Sequence, residues 1–120
     1  MRRIATALLV ATAFAGLTGS AQATRHPTQT ALIKQVKVSA SEFKLVLNTK
    51  TAKRGVVVFK VTNVGQLPHD FKISGRKTKL LQHGQSDTVR VTFLRKGHFG
   101  FVCTVSGHAA AGMKGVFTVT

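Results

Sequence analysis

The chain has 120 residues, 18 of them Lys or Arg against 3 Asp or Glu, a formal charge of +15, with one Cys and neither Trp nor Tyr. That length admits a single domain, and a lone cysteine excludes an intramolecular disulfide. A strongly basic balance bears on partners and encounter rates rather than on fold, and the scattered basic residues lack the aromatic interleaving of a single-strand binder, which argues against nucleic acid.

The first segment reads as a targeting sequence. Arg2 and Arg3 form a positive head, Ile4 to Leu17 is mostly apolar, with small residues and threonines but no charge, and Ala21-Gln22-Ala23 is a small-x-small cleavage pattern. Residues 1–23 are therefore expected to be a signal peptide, with an apolar run too short for a comfortable membrane span. The mature protein would be exported, periplasmic or secreted, with no integral span. Cleavage after Ala23 leaves 97 residues carrying 16 basic and 3 acidic side chains, a net +13. The new terminus, Thr24-Arg25-His26, offers an amine, two amides and an imidazole, a four-nitrogen square suited to Cu(II) or Ni(II), and so a candidate second metal site. Residues 24–32 are polar with a proline and are expected to form a flexible arm ahead of a domain.

Beyond the arm the hydrophobic period is two. The runs 42–48, 56–63, 69–75, 87–93, 98–103 and 115–120 are short, rich in Val, Phe and Thr, and bounded by glycine or basic turns such as "TAKRG" and "LRKG". They predict an all-β, antiparallel sandwich or barrel. No segment carries a helical stripe.

The stretch "GFVCTVSGHAAAGMKGVFTV" holds the chemistry. Cys103 shares the parity of Phe99 and Phe101, so it is expected to face the core at a strand end, with His108 and Met113 on the loop that follows. A free thiol in an oxidising compartment needs burial or a metal. A copper ion that alternates between Cu(I) and Cu(II) favours sulfur in one state and imidazole in the other. Two histidines, a thiolate and a weak axial methionine meet both demands, and this is the ligand set of blue-copper sites. His69, after Pro68 and between two predicted strands, is the best second histidine. His83 falls in a predicted turn and His98 on an outer face, and neither is assigned a ligand role.

The segments "NVGQLPHDFKI" and "GHFGFVCTVSGHAAAGMKGVFTV" resemble the cupredoxin family of small blue-copper proteins, over about Glu42 to Thr120. The resemblance implies a Greek-key β-sandwich of about seven or eight strands with one type 1 copper ion held by His69, Cys103, His108 and the axial Met113. The C-x4-H-x4-M spacing is most similar to rusticyanin and sulfocyanin. It also implies that Asp70, after the first histidine, bonds Thr104, after the cysteine, and so ties the two ligand segments together. Three positions depart from the family pattern without removing a ligand: Phe99 for a tyrosine, Val102 for an aromatic, and Ser106 for a proline.

The expected function is one-electron transfer between redox partners, with no enzymatic activity. His108 is the expected electron port, and Leu67, Ala109, Ala110, Ala111 and Gly112 form an apolar docking patch. The basic surface points to an acidic redox protein, such as a cytochrome or an oxidase or reductase, approached by a monomer. A periplasmic copper carrier or buffer is the alternative.

Overall fold

Alternation of buried and exposed side chains builds the body of the molecule. The computed structural model describes residues 33–120 and, ahead of them, residues 11–13, 15, 16, 19 and 21. Nine strands run in the order β1 Lys34–Ser41, β2 Lys44–Leu47, β3 Thr51–Ala52, β4 Gly55–Asn63, β5 Lys72–Ile73, β6 Arg76–Lys77, β7 Ser86–Phe93, β8 Gly97–Val102 and β9 Lys114–Val119. They form two sheets, β2-β1-β4-β7 and β3-β9-β8-β5-β6. No described residue is helical, so no helix there is long and apolar enough to cross a membrane.

The inner face of the first sheet carries Val36, Val38 and Ala40 from β1, Val57, Phe59 and Val61 from β4, and Val89, Val91 and Phe93 from β7. Register sets these in rows, Val36 beside Phe59 and Phe59 beside Val89. Phe101 and Phe117 from the second sheet, and Phe71 just ahead of β5, face them. The Phe59 ring lies 5.1 Å from Phe117 and 5.4 Å from Phe71, between centroids. Phe101 covers Gly115, its partner across the β8–β9 pair, where a Cβ would strike the ring.

Two features correct the expectation of purely antiparallel pairing. β1 pairs with β4 in parallel, and so does β3 with β9. β1 is itself absent from the predicted runs, although Val36, Val38 and Ala40 alternate cleanly with polar residues.

The predicted strand over 69–75 shrinks to Lys72–Ile73. His69 makes only an isolated bridge with Leu81. Asp70 N–H donates to the Cys103 sulfur at 3.5 Å and Phe71 N–H to Thr78 Oγ1 at 3.1 Å, so these donors go to side chains instead of a ladder. Pro68 has no N–H to offer.

Register also defines the end where the ligand candidates gather. Ala40 near the end of β1 lies beside Asn63 at the end of β4, Thr62 pairs with Ser86 at the start of β7, and Val102 at the end of β8 pairs with Lys114 at the start of β9. The β1–β2 hairpin turns at the same end.

Candidate metal centre

Cys103 follows the last residue of β8, and its N–H donates to Met113 O at 3.0 Å. This bond carries the β8–β9 ladder one step further and closes residues 103–113 into a loop. Inside it the chain folds as consecutive turns: His108 N–H donates to Val105 O, while His108 O accepts from Ala111 N–H and Met113 N–H. Gly107 at φ 81° and Gly112 at φ 118° supply the positive backbone angles these turns require. The loop thus returns His108 over the thiol.

The other histidine is set from a second loop. His69 exchanges both backbone hydrogen bonds with Leu81, at 3.0 and 2.8 Å. Asn63, fully buried, knits the approach: its side-chain amide donates to Leu67 O and Leu81 O, and its oxygen accepts from Gly65 N–H, all at 2.8–2.9 Å. His83 Nδ1 meets Gly65 O at 2.6 Å, so the outward-facing turn histidine braces the same loop.

These two loops bring three donor atoms together. One atom each from His69, Cys103 and His108 lies within 4.8 Å of the others. The two Nδ1 atoms are 3.1 Å apart, and His108 Nδ1 is 3.7 Å from the sulfur. Donors bonded to one ion at about 2.0 Å for nitrogen and about 2.3 Å for sulfur, the lengths of zinc bonds, stand about 3–4 Å from each other; the observed separations already fit. His69 and Cys103 are fully buried and His108 is 9% exposed. The Met113 side chain is fully buried, and its backbone is bonded to both Cys103 and His108. A thiol and two imidazoles, with a thioether in the same loop, form a donor set that suits copper in both oxidation states.

The electrostatics match. Burial pushes the Cys103 thiol up from its ordinary value, and the N–H groups of Asp70 and Val105 act in the opposite direction. A buried thiol that resists ionisation is protected from oxidation until a cation replaces its proton. Asp70 accepts from Thr104 N–H at 2.6 Å and from the Thr104 hydroxyl, so the segments carrying His69 and Cys103 are strapped directly together.

The β1–β2 hairpin adds two residues that sequence reasoning missed. Glu42 Oε1 accepts from His69 Nε2 at 3.0 Å and from Leu67 N–H at 2.6 Å. The Leu67 N–H is the main reason its carboxyl sits at about 2, with the bond to His69 adding to it and burial opposing. Phe43 sets its ring edge-on to His108, with centroids 5.2 Å apart. One signal for Glu42 was present: it is the only glutamate in a chain with three acids.

Leu67 is 43% exposed, Ala110, Ala111 and Gly112 are exposed, and Ala109 is half-buried. Phe43, 41% exposed, joins this apolar rim. Thr24, Arg25 and His26 lie outside the described residues, as do the rest of the arm over 24–32 and most of the expected signal sequence 1–23.

The family model described as copper binding proteins, plastocyanin/azurin family, matches residues 30–120. No curated protein matches the chain significantly. Among solved structures, the dithionite-reduced auracyanin from the photosynthetic bacterium Roseiflexus castenholzii is 24% identical, with a TM-score of 0.62 over 72% of this chain and 97% of that one. Auracyanin B is 20% identical, with a TM-score of 0.60 over 77% and 91%. Auracyanin A, a "blue" copper protein from the green thermophilic photosynthetic bacterium Chloroflexus aurantiacus, is 14% identical, with a TM-score of 0.62 over 73% and 99%. At these identities the likeness establishes the shared β-sandwich fold.

Proposed function

The chain belongs to the plastocyanin/azurin family of copper-binding proteins, its cofactor is a type 1 copper ion, and from that premise we propose that His69, Cys103, His108 and Met113 hold the ion and that the protein carries single electrons between redox partners. The observation that carries this reading is the buried convergence of one thiol and two imidazole nitrogens within 4.8 Å. The bound ion supplies a one-electron couple. The chain supplies a donor set held in advance by Asn63, Asp70 and the closed 103–113 loop, which limits rearrangement between the two oxidation states.

Four protein donors leave no open position for a substrate, which favours a carrier of electrons over an enzyme. The buried thiol and His69 favour it over a copper carrier or buffer, which has to release its metal to a partner. Electrons pass by way of His108, the most exposed of the three donors, beneath the rim of Phe43, Leu67 and Ala109 to Gly112. A partner with an acidic face, such as a cytochrome or an oxidase or reductase, suits the strongly positive net charge of the chain. Residues 1–23 direct export to the periplasm or beyond, the mature protein acts as a monomer, and Thr24-Arg25-His26 forms a weak second Cu(II) site on the arm.

Titration of Cu(II) into the mature protein is expected to give an intense blue thiolate-to-copper band at one equivalent. Cys103→Ser is expected to abolish it. A colourless wild-type protein, or a blue variant, overturns the assignment.

A further inference from the structure

We propose that Glu42 is the positioning residue of His69: its carboxylate holds the Nε2 proton, leaves the Nδ1 lone pair facing Cys103 and His108, and favours Cu(II) over Cu(I) at the site. The proposal rests on the copper reading above and deepens it.

The argument begins with hydrogen-bond inventory. Both ring nitrogens of the fully buried His69 have a neighbour, Nε2 with Glu42 Oε1 at 3.0 Å and Nδ1 with His108 Nδ1 at 3.1 Å. An ionised carboxylate can only accept, so Nε2 must donate, and a neutral ring then keeps its lone pair on Nδ1. Of the two nitrogens, Nδ1 is the one that faces the other donors. Glu42 therefore selects the tautomer that can bind metal.

The placement of Glu42 is built rather than incidental. The same oxygen accepts the Leu67 N–H, two residues before His69. The carboxylate is seated against Gly65, where a Cβ would come within 2.6 Å of it. The residue comes from a hairpin 27 positions away in sequence, so it fixes the ring from outside both ligand loops. Its neighbour Phe43 packs on His108, and Phe43 O lies close over Gly112. Two consecutive residues of one turn thus reach both histidines.

Charge gives the consequence. A carboxylate one imidazole away from the donors makes the ring a stronger donor and stabilises the more highly charged ion. The other two acids of the chain are engaged elsewhere, Asp70 with Thr104 and Asp87 with Lys79 N–H and Thr88 N–H. Among these three acids, Glu42 alone is bonded to a ligand ring.

The test uses Glu42→Gln, which keeps the shape and an acceptor oxygen but removes the charge, with Cu(II) and Cu(I) as the probes. The variant is expected to stay blue and to lose about tenfold in Cu(II) affinity relative to Cu(I), a rise in reduction potential of about 59 mV. The metal-free unfolding midpoint of the variant is measured alongside. An unchanged midpoint with a raised potential supports an effect on the ring and its charge rather than on folding. A blue wild type and a blue variant with equal potentials overturn the proposal while leaving the copper reading intact. A wild type that fails to turn blue ends the copper reading instead, and the metal-free ring then decides the positioning role. ¹⁵N NMR of the metal-free protein is expected to place the His69 proton on Nε2 in the wild type and to show a mixture of tautomers in Glu42→Ala. A wild-type proton on Nδ1 overturns the proposal whatever the copper titration gives.

Discussion

The body of the sandwich and its metal end are made of different materials. In the body, β1, β4 and β7 present Val, Phe and Ala in register against Phe71, Phe101 and Phe117, and the hydrogen bonds run from backbone to backbone. At the metal end the buried polar residues collect, Asn63, His69, Asp70 and His108, with Thr78 beside Phe71 behind them. There the ordering comes from side chains bonded to backbone: Asn63 to Leu67 and Leu81, Asp70 to Thr104, Glu42 to Leu67. The body resists water by burying apolar area. The end resists it by satisfying every buried polar side chain among the described residues. A site that must keep two imidazoles and a thiol in one geometry cannot be packed from apolar residues alone.

If that division is real, damage to the body should destroy both stability and copper binding. Phe59 is fully buried, with Phe71, Phe93 and Phe117 around its ring. Phe59→Ala is expected to cost about 3–5 kcal/mol in the metal-free protein by denaturant unfolding, a large share of the stability of a small domain. A loss below about 1 kcal/mol would mean that the phenylalanine cluster is not what holds the sheets together.

Damage to the metal end should be smaller and chemically specific. Asp70→Ala leaves the Thr104 N–H without its acceptor and unstraps the two ligand segments. The expected cost is about 1.5–3 kcal/mol, the scale of a hydrogen bond to a charged group, with copper passing faster to a chelator. Full stability together with rapid copper loss would sharpen the division further, by showing that the strap serves the metal alone.

The same division explains what the sequence disclosed. The body was legible wherever period two was clean, as in Val57, Phe59 and Val61 or Val89, Val91 and Phe93. The grouping of Cys103 with His108 was legible because the two stand five residues apart, in a loop that closes at Met113. His69 was accessible only through the choice of a second histidine and the family resemblance. Parallel pairing of β1 with β4 leaves no mark on either strand, because inward and outward alternation is the same in both directions. Glu42 and Phe43 were hidden for a related reason: their partners lie 25 residues or more away, and no local pattern records that distance.

Met113 tests whether chemistry and packing separate at a single residue. It is fully buried in the continuous apolar core and belongs to the ligand loop at the same time. Met113→Leu conserves volume, so stability is expected to change by less than about 1.5 kcal/mol. The protein should keep its copper and its colour, with a higher reduction potential, since a weak axial donor stabilises Cu(II) more than Cu(I). An unchanged potential would place Met113 with the body, as filler only.

The smallest expected effect lies at Asp87, on the strand that joins the two regions. Asp87 stands near the start of β7, opposite Val61, and accepts from Lys79 N–H at 2.9 Å and from Thr88 N–H at 2.8 Å. The Lys79 N–H first, then the Thr88 N–H and the Lys79 charge, hold its carboxyl below the ordinary value of 3.8, against a modest opposition from burial. A carboxyl whose folded value lies below its unfolded one contributes stability above the unfolded value, and that contribution disappears as the pH falls from about 3.8 through the lower folded value. Asp87→Asn cannot ionise. The gap in unfolding free energy between wild type and variant should therefore be constant near neutral pH, narrow below about pH 4, and change little under further acidification once the wild-type carboxyl is protonated. Metal-free protein is the right sample, because metal binding is itself pH-dependent and would add its own term to the difference. A gap that stays level across the acid range would show that Asp87 acts through shape alone. A gap that narrows would establish that this acid holds the start of β7 to the Lys79 segment by its charge as well as by its position.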